Sequence, residues 1–250
     1  MTHSDATVAL LDRFLDELHD LAPVAVWAHG SLGGGDYQQG RSDLDLIAVL
    51  RGPITPSTVW RVASLHARLR ADPLADKLHC TYLTPGTAAD VERRHLTRAR
   101  KQLFKRPVGP VARRELHTFG LVLHGEAVKE LLPPVSDGDL AESVVQEQWE
   151  WRLELAEAAR WHNDLWVDLG LLTHARALVT LSEGRLITKR EALDLLPTLG
   201  APVEVVEDIE RRRYEGPGDR PPSEEWTARR SALTREYLGP AIDALVRTYG

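Results

Sequence analysis

Two aspartates one residue apart open an apolar segment, and a glycine–serine pair lies upstream of them. Gly30-Ser31 is followed after eleven residues by Asp43-Leu44-Asp45, and residues 46–50 are all apolar. In a strand alternate side chains share a face, so Asp43 and Asp45 project on the same side, about 7 Å apart. Two carboxylates that close repel each other unless a cation lies between them. Mg²⁺ fits this arrangement because it prefers one or two carboxylates together with substrate phosphates.

The glycine-rich turn upstream carries groups that can bind a phosphate. Gly30 lets the backbone approach an anion closely, and the Ser31 hydroxyl and nearby backbone N–H groups are donors. Ser42 adds a donor directly before the first aspartate. An Asp-x-Asp pair is most often solvated surface, but Asp43 and Asp45 open a buried strand, and ligand sites gather at the ends of such strands. The sequence therefore predicts a site for a metal-bound phosphate compound.

The elements around these residues alternate between helix and strand. Apolar spacing predicts helices over residues 5–21 and 57–70, the second with Ser57 as its N-cap. Apolar runs predict strands over residues 24–28, 43–50 and 78–83. This alternation is typical of an α/β fold, a mixed sheet with flanking helices.

A Pro-, Gly- and Asp-rich segment, residues 133–139, opposes both helix and strand and marks a domain boundary. Beyond it, helical patterns cover residues 139–161, 164–183, 188–199, 203–213 and 223–248. We therefore expect an α/β domain over residues 1–134 and an all-α helical bundle over residues 139–250.

Composition excludes several classes of protein. The chain has 31 Lys and Arg against 37 Asp and Glu, a net charge of −6, with no basic stripe, so nucleic acid is not an expected partner. Cys80 is the single cysteine, which excludes a disulfide framework and fits a reducing cytoplasm. No apolar run approaches the roughly 20 residues that cross a bilayer. We expect a cytoplasmic protein that is a monomer, with a dimer as the alternative.

The pattern Gly30-Ser31…Ser42-Asp43-Leu44-Asp45 resembles the signature of the polymerase-β-like nucleotidyltransferase superfamily. Within it, the two-domain layout is similar to the streptomycin/spectinomycin-type aminoglycoside adenylyltransferases, as are the order and spacing of residues 171–176, 183–189 and 212–214. The resemblance implies transfer of AMP from ATP to a hydroxyl of a small, aminoglycoside-like acceptor, with release of pyrophosphate and a role in antibiotic resistance. It also implies that Asp43 and Asp45 hold two Mg²⁺ ions.

The resemblance further implies that Arg176 and Lys189 reach the triphosphate and that Tyr214 contacts the nucleotide. Structural alternatives stay open for each residue: Arg176 as a helix cap or ion-pair partner, Lys189 as a solvated residue, Tyr214 as a core residue. A cation near a helix N-terminus opposes the helix dipole, so Lys189 gains nothing there structurally.

The resembling family places a third carboxylate on the strand that follows, but residues 77–82 contain no acid and His79 stands in its place. Three explanations are open. His79 is the general base, since its ordinary pKa of about 6.5 suits proton abstraction near neutrality. Alternatively, Asp72, Asp76 or Glu92 reaches the site. In the third explanation, the chain is a non-catalytic module that binds or senses nucleotide.

Four tryptophans lie within eighteen residues, beside several acidic residues. They are Trp149, Trp151, Trp161 and Trp166, and Glu150, Glu154, Asp164 and Asp168 lie next to them. One interpretation is core packing of the helical domain. The other is an acceptor pocket in which Trp166 faces a sugar ring while Asp164 and Asp168 pair with amines. The acceptor itself stays open, and a protein or metabolite hydroxyl is a further alternative.

Overall fold

The computed structural model describes residues 5–215 and 222–250, and the chain divides into two compact units, Met1–Val135 and Ser136–Gly250. The first unit contains one six-stranded sheet with the strand order β5-β4-β3-β2-β1-β6. Its strands are β1 (Pro23–His29), β2 (Leu44–Leu50), β3 (Leu78–Leu83), β4 (His95–Ala99), β5 (Gln102–Arg106) and β6 (Leu121–Gly125). The β2–β3 pair is parallel and the other four pairs are antiparallel, so the predicted mixed sheet is confirmed.

Helices cover both faces of this sheet. They are α1 (Asp5–Leu18), α2 (Gly30–Gly33), α3 (Pro56–Arg68), α4 (Pro85–Ala88), α5 (Pro110–Phe119) and α6 (Val128–Leu131). Leu46 and its alternate neighbours on β2 join the core that contains α1 and α3, whereas Ile47 and Val49 join the core that contains α5. Because both faces are buried, residues 46–50 of β2 form a continuous apolar run. Asp45 is two residues before Ile47, so its side chain is on the same face of the sheet as Ile47, the face covered by α5.

Helix α3 supplies the crossover that a parallel strand pair requires. Its N-cap is Thr55, whose side chain accepts a hydrogen bond from the Thr58 backbone, while Pro56 occupies the first turn. The prediction of Ser57 as the N-cap is therefore wrong. Proline fits the first helical position because its fixed φ suits the helix and it needs no donor there, so the helix begins earlier.

The second unit is helical, as predicted. It contains α7 (Asp137–Glu154), α8 (Asp164–Glu183), α9 (Lys189–Leu195), α10 (Val203–Glu210) and α11 (Glu224–Tyr249). The predicted helix over residues 139–161 ends at Glu154, and a separate 3₁₀ turn covers Ala158–His162. Trp161 and Leu238 are fully buried in the hydrophobic core of this second unit. Within the two described ranges, no helix combines the length and the apolar character needed to span a membrane.

Candidate active site

Three polar residues form a row across the middle strands of the sheet. His29 at the end of β1 pairs in register with Asp45 on β2, and Asp45 pairs in register with His79 on β3. Neighbouring strands lie about 4.8 Å apart, so the row places one histidine on each side of the carboxylate. Asp43 lies one residue before β2 and two residues before Asp45, so both predicted aspartates lie at the start of this strand.

Both aspartates approach the same nitrogen of His79. Nδ1 of His79 lies 3.6 Å from Oδ1 of Asp45 and 3.8 Å from Oδ2 of Asp43. Lys77 Nζ lies 3.5 Å from the other oxygen of Asp43 and donates to the Arg41 carbonyl at 2.9 Å. The side chains of Asp43 and Asp45 are 39% and 29% exposed, whereas that of His79 is 8% exposed. The two carboxylates therefore lie beside the largely buried His79 ring and are themselves partly exposed to solvent.

The surroundings of Asp45 favour its charged form. Burial by itself disfavours a carboxylate, but the hydrogen bond with His79 and the electrostatic influence of His29, His79 and Arg106 outweigh it. The pKa of Asp45 consequently lies below its ordinary value. Asp45 is thus ionised at neutral pH and is able to bind a cation.

Gly30 and Ser31, predicted as a turn, begin the one-turn helix α2, and this turn packs against Asp45. Gly30 has a φ of +61°, and a Cβ at this position would lie 2.9 Å from Oδ2 of Asp45. A Cβ at Gly33 would lie 2.6 Å from the Phe119 carbonyl at the end of α5. The turn is therefore closely packed between the aspartate and α5, and glycine is required at both positions.

Ser42 closes the loop that leads to Asp43. Its hydroxyl oxygen accepts a hydrogen bond from the Gln38 backbone N–H at 3.0 Å, and its own N–H donates to the Gln38 carbonyl at 2.8 Å. The residue is buried. These bonds fix the backbone directly before the first aspartate.

Of the three acids considered as substitutes for a third carboxylate, Asp72 and Asp76 have partners away from the row. Asp72 accepts hydrogen bonds from Arg13 and the Leu74 backbone, and Asp76 pairs with Lys101 at 2.8 Å. Glu92 is exposed on the loop before β4. Among the described residues, no group of three or more His, Cys, Asp or Glu side chains has metal-binding geometry.

Glu115 on α5 is the carboxylate that sequence reasoning missed. Its Oε2 lies 2.9 Å from Nδ1 of His29, and both residues are buried. No spacing pattern marks this pair, because Glu115 follows His29 by 86 positions. The only available signal is a glutamate next to Leu116 on the buried face of an amphipathic helix.

Arg176, Lys189 and Tyr214 lie around the start of α9 in the second unit. Arg176 Nε donates to the Ile187 carbonyl at 2.9 Å, two residues before Lys189 begins the helix. The Arg190 guanidinium lies over the Tyr214 ring, 4.0 Å from its centroid. The structure therefore brings these three predicted residues into one region of the helical unit.

Asp164 and Asp168 take part in a network of arginines. Arg212 donates two hydrogen bonds to Asp168, at 2.7 and 2.9 Å, and Arg230 donates to Asp164 at 2.5 Å. Asp164 is 45% exposed and Asp168 is 23% exposed. Asp164 is therefore the more accessible of the two carboxylates.

Trp166 packs edge-on against two other tryptophans. Its ring centroid lies 5.4 Å from that of Trp151 and 6.3 Å from that of Trp161, and the Arg160 guanidinium lies 5.1 Å from its centre. Trp161 is fully buried, while Trp166 is only partly buried. The group is thus continuous with the core and leaves part of Trp166 accessible.

The sequence matches no protein-family model and no curated protein sequence. Among solved structures, the chain is similar to spectinomycin adenyltransferase AAD(9) from Enterococcus faecialis, determined with ATP and spectinomycin. The TM-score is 0.71 at 16% sequence identity, and the match covers 96% of this chain and 100% of that chain. This chain therefore has the fold of that adenyltransferase, which confirms the predicted fold class.

Proposed function

We propose that this protein is a Mg²⁺-dependent nucleotidyltransferase that transfers AMP from ATP to a hydroxyl of a small, aminoglycoside-like acceptor. The observation that carries the proposal is the convergence of Asp43 and Asp45 beside His79, at the end of a buried strand. The similarity in fold to a spectinomycin adenyltransferase supports nucleotidyl transfer as the chemistry of these two carboxylates, although fold alone does not establish an activity.

The donor set fits a magnesium site. Oxygens of Asp43 and Asp45 lie 3.8 and 3.6 Å from the same nitrogen of His79, and both side chains are partly exposed, so two carboxylates of one short segment are available to a cation. Mg²⁺ needs few protein ligands because water and substrate phosphates complete its shell. Bound there, one or two Mg²⁺ ions would neutralise the phosphates and stabilise the attacking and leaving oxygens.

His79 is the group that we assign as general base. The acceptor oxygen forms a bond to the α-phosphorus, the bond from that phosphorus to the oxygen bridging the β-phosphate breaks, and pyrophosphate leaves. The hydroxyl proton passes to His79. Because Nδ1 faces the two carboxylates, its N–H points toward them and Nε2 carries the lone pair that accepts the proton.

We also propose nucleotide contacts. The phosphates are assigned to the Gly30-Ser31 turn, which packs directly against Asp45. Ser42 acts through the loop that it holds, since its oxygen already accepts a backbone hydrogen bond. Arg176 and Lys189 are proposed to supply positive charge for the triphosphate. Tyr214 supplies an aromatic contact for the nucleotide.

The acceptor contacts are assigned to the helical unit. Asp164 is the carboxylate most open to an amine of the acceptor, and the accessible part of the Trp166 ring suits the apolar face of a sugar. Asp168 would act through Arg212, which holds it by two hydrogen bonds. A cationic acceptor also matches the net charge of −6.

A non-catalytic nucleotide sensor is the second candidate function. It is favoured by His79, which stands where a third carboxylate was expected, and by the Lys77 ammonium 3.5 Å from Asp43. Such a module would bind nucleotide and release no pyrophosphate.

Calorimetric titration with ATP, with and without Mg²⁺, tests the proposal. We expect Mg²⁺-dependent binding in the natural protein and its loss in Asp43→Asn. The matched control is Asp243→Asn, because Asp243 is 38% exposed and pairs with Arg152 in the other unit. Equal binding by Asp43→Asn and the natural protein would contradict the assigned site.

A pyrophosphate-release screen across aminoglycosides follows the titration. Release that depends on one added acceptor supports the transferase and identifies its substrate. Binding without release for any acceptor favours the sensor.

A further inference from the structure

Lys77 is a charged residue beside the aspartate pair to which the proposed transferase gives no role. Its Nζ lies 3.5 Å from Oδ1 of Asp43. Asp45 on β2 pairs in register with His79 on β3, and these two strands are parallel. Asp43 and Lys77, each two positions earlier, therefore lie opposite each other where the strands begin. The backbone itself makes them neighbours.

A hydrogen bond to the backbone holds the Lys77 ammonium in place. Nζ donates to the Arg41 carbonyl at 2.9 Å. That carbonyl belongs to the loop before Asp43, which is fixed in turn by the hydrogen bond from the Ser42 N–H to the Gln38 carbonyl at 2.8 Å. The Lys77 side chain is 35% exposed, and a lysine in contact with solvent is positively charged at neutral pH. A positive charge in a defined position therefore lies beside the aspartates.

The charges of this cluster suit one divalent ion better than two. Oδ1 of Asp43 faces the ammonium, whereas Oδ2 of Asp43 and Oδ1 of Asp45 face His79 at 3.8 and 3.6 Å. Across the two ranges that the structure describes, no set of three or more acidic, histidine or cysteine side chains could hold a metal ion. The two aspartates and Lys77 together carry one net negative charge, which leaves little to neutralise a second ion.

The place that a second ion would take is close to the ammonium. In two-metal phosphoryl-transfer sites the ions lie about 3.5–4 Å apart. An ion on Oδ1 of Asp43 would have to displace Lys77 or lie within a few ångströms of it, and like charges that close repel each other. Lysine is itself a common ligand of phosphate, which it binds as a point charge. The ammonium can therefore supply positive charge where a second ion would.

We infer that Lys77 takes the place of the second Mg²⁺ ion, so that the protein binds a single ion with its nucleotide, an inference that rests on the proposed function. The remaining carboxylate oxygens of Asp43 and Asp45 serve that ion together with substrate phosphates, the ligand set that Mg²⁺ prefers. Lys77 offsets the charge of Asp43 and of the nearby phosphates. Because Lys77 belongs to the chain, this positive charge is present before any nucleotide binds.

Counting the bound metal ions tests the inference without any turnover. Mn²⁺ is the probe, because it favours the same oxygen ligands as Mg²⁺ and its free concentration can be measured by electron paramagnetic resonance. The full chain is dialysed to equilibrium with Mn²⁺ and α,β-methylene ATP, an analogue that cannot release pyrophosphate. We expect one Mn²⁺ per protein–nucleotide complex when binding is saturated.

Lys77→Gln should raise this count from one to two. The substitution removes the ammonium and frees Oδ1 of Asp43 for a cation. The matched control is Lys101→Gln, because Lys101 also pairs with an aspartate, Asp76, at 2.8 Å, and both of those side chains are more than half exposed. Each variant loses one positive charge, but the control should still bind one Mn²⁺. The count in the natural protein tests the inference even if a variant fails to fold.

The possible results separate the inference from the proposed function. Two Mn²⁺ ions in the natural protein would overturn the inference, and so would a single ion in both the natural protein and Lys77→Gln. A second ion in Lys101→Gln as well would assign the effect to net charge and not to Lys77. In each of these cases the nucleotide analogue is still bound and the proposed function stands. If the natural protein retains neither Mn²⁺ nor the analogue, the proposed function fails, and the inference fails with it.

Discussion

Replacing Gly30 by alanine should separate the cost of a strained backbone from the cost of displacing Asp45, the carboxylate proposed to bind Mg²⁺. Gly30 has a φ of +61°, where an L side chain costs about 1–2 kcal/mol. The new Cβ would also lie 2.9 Å from Oδ2 of Asp45, a distance that real Cβ atoms essentially never show. The carboxylate or the turn must therefore move by several tenths of an ångström. Mg²⁺ tolerates such a movement poorly because its coordination is close to ideal octahedral.

Gly40→Ala is the matched control. Gly40 has a φ of +76°, and no atom lies within 4 Å of a Cβ at that position. Both variants should lose about 1–2 kcal/mol in the free energy of unfolding, measured in urea. Only Gly30→Ala should also bind ATP with Mg²⁺ about tenfold or more weakly, by calorimetric titration. Equal ATP affinities in the two variants, whether both normal or both reduced, would refute the role assigned to the Gly30–Asp45 contact.

Two further predictions concern histidines. His79→Ala should abolish pyrophosphate release in a single-turnover assay while ATP binding persists; undiminished release would remove His79 from the mechanism. His66 is buried, its Nε2 lies 2.8 Å from the Tyr82 hydroxyl, and burial lowers its pKa to about 3. Between pH 6.5 and about 3 the unfolded chain binds a proton at His66 that the folded chain does not. The free energy of unfolding therefore decreases as the pH is lowered through this range, by up to about 1.4 kcal/mol per pH unit. Urea unfolding at pH 6.5 and 5.0 should show a smaller loss in His66→Gln than in the natural protein, and an equal loss would exclude His66 as the cause.

Three neighbouring strands, β1, β2 and β3, were predictable from sequence, whereas β4, β5 and β6 were not. The first three are largely buried; β1 and β2 are mainly apolar, and β3 includes His79 and Thr81. Strand β5 is almost fully exposed and mixes Gln102, Lys105 and Arg106 with apolar residues. An edge strand owes its conformation to hydrogen bonds with its neighbour, which its own sequence does not record.

The same distinction applies to the candidate site. Asp43 and Asp45 could be identified together because they lie two residues apart at the start of one predicted strand, where spacing fixes which face each residue takes. His79 was placed by counting along the next predicted strand. Glu115 could not be found this way, since only the packing of α5 against β1 brings it to His29. Contacts between distant elements depend on tertiary packing, which has no local period.

The register of β2 gives the charged row a part in folding as well as in chemistry. A slip of one residue would turn Asp45 into the core beside α1 and α3 and would place Leu44 or Leu46 between the two histidines. An ionised carboxylate enclosed there without a partner would cost several kcal/mol, a large share of the stability of an ordinary domain. Pairings of β2 shifted by one residue are therefore strongly disfavoured. Asp45, the carboxylate proposed to bind Mg²⁺, thus also helps to specify how its strand aligns with β1 and β3.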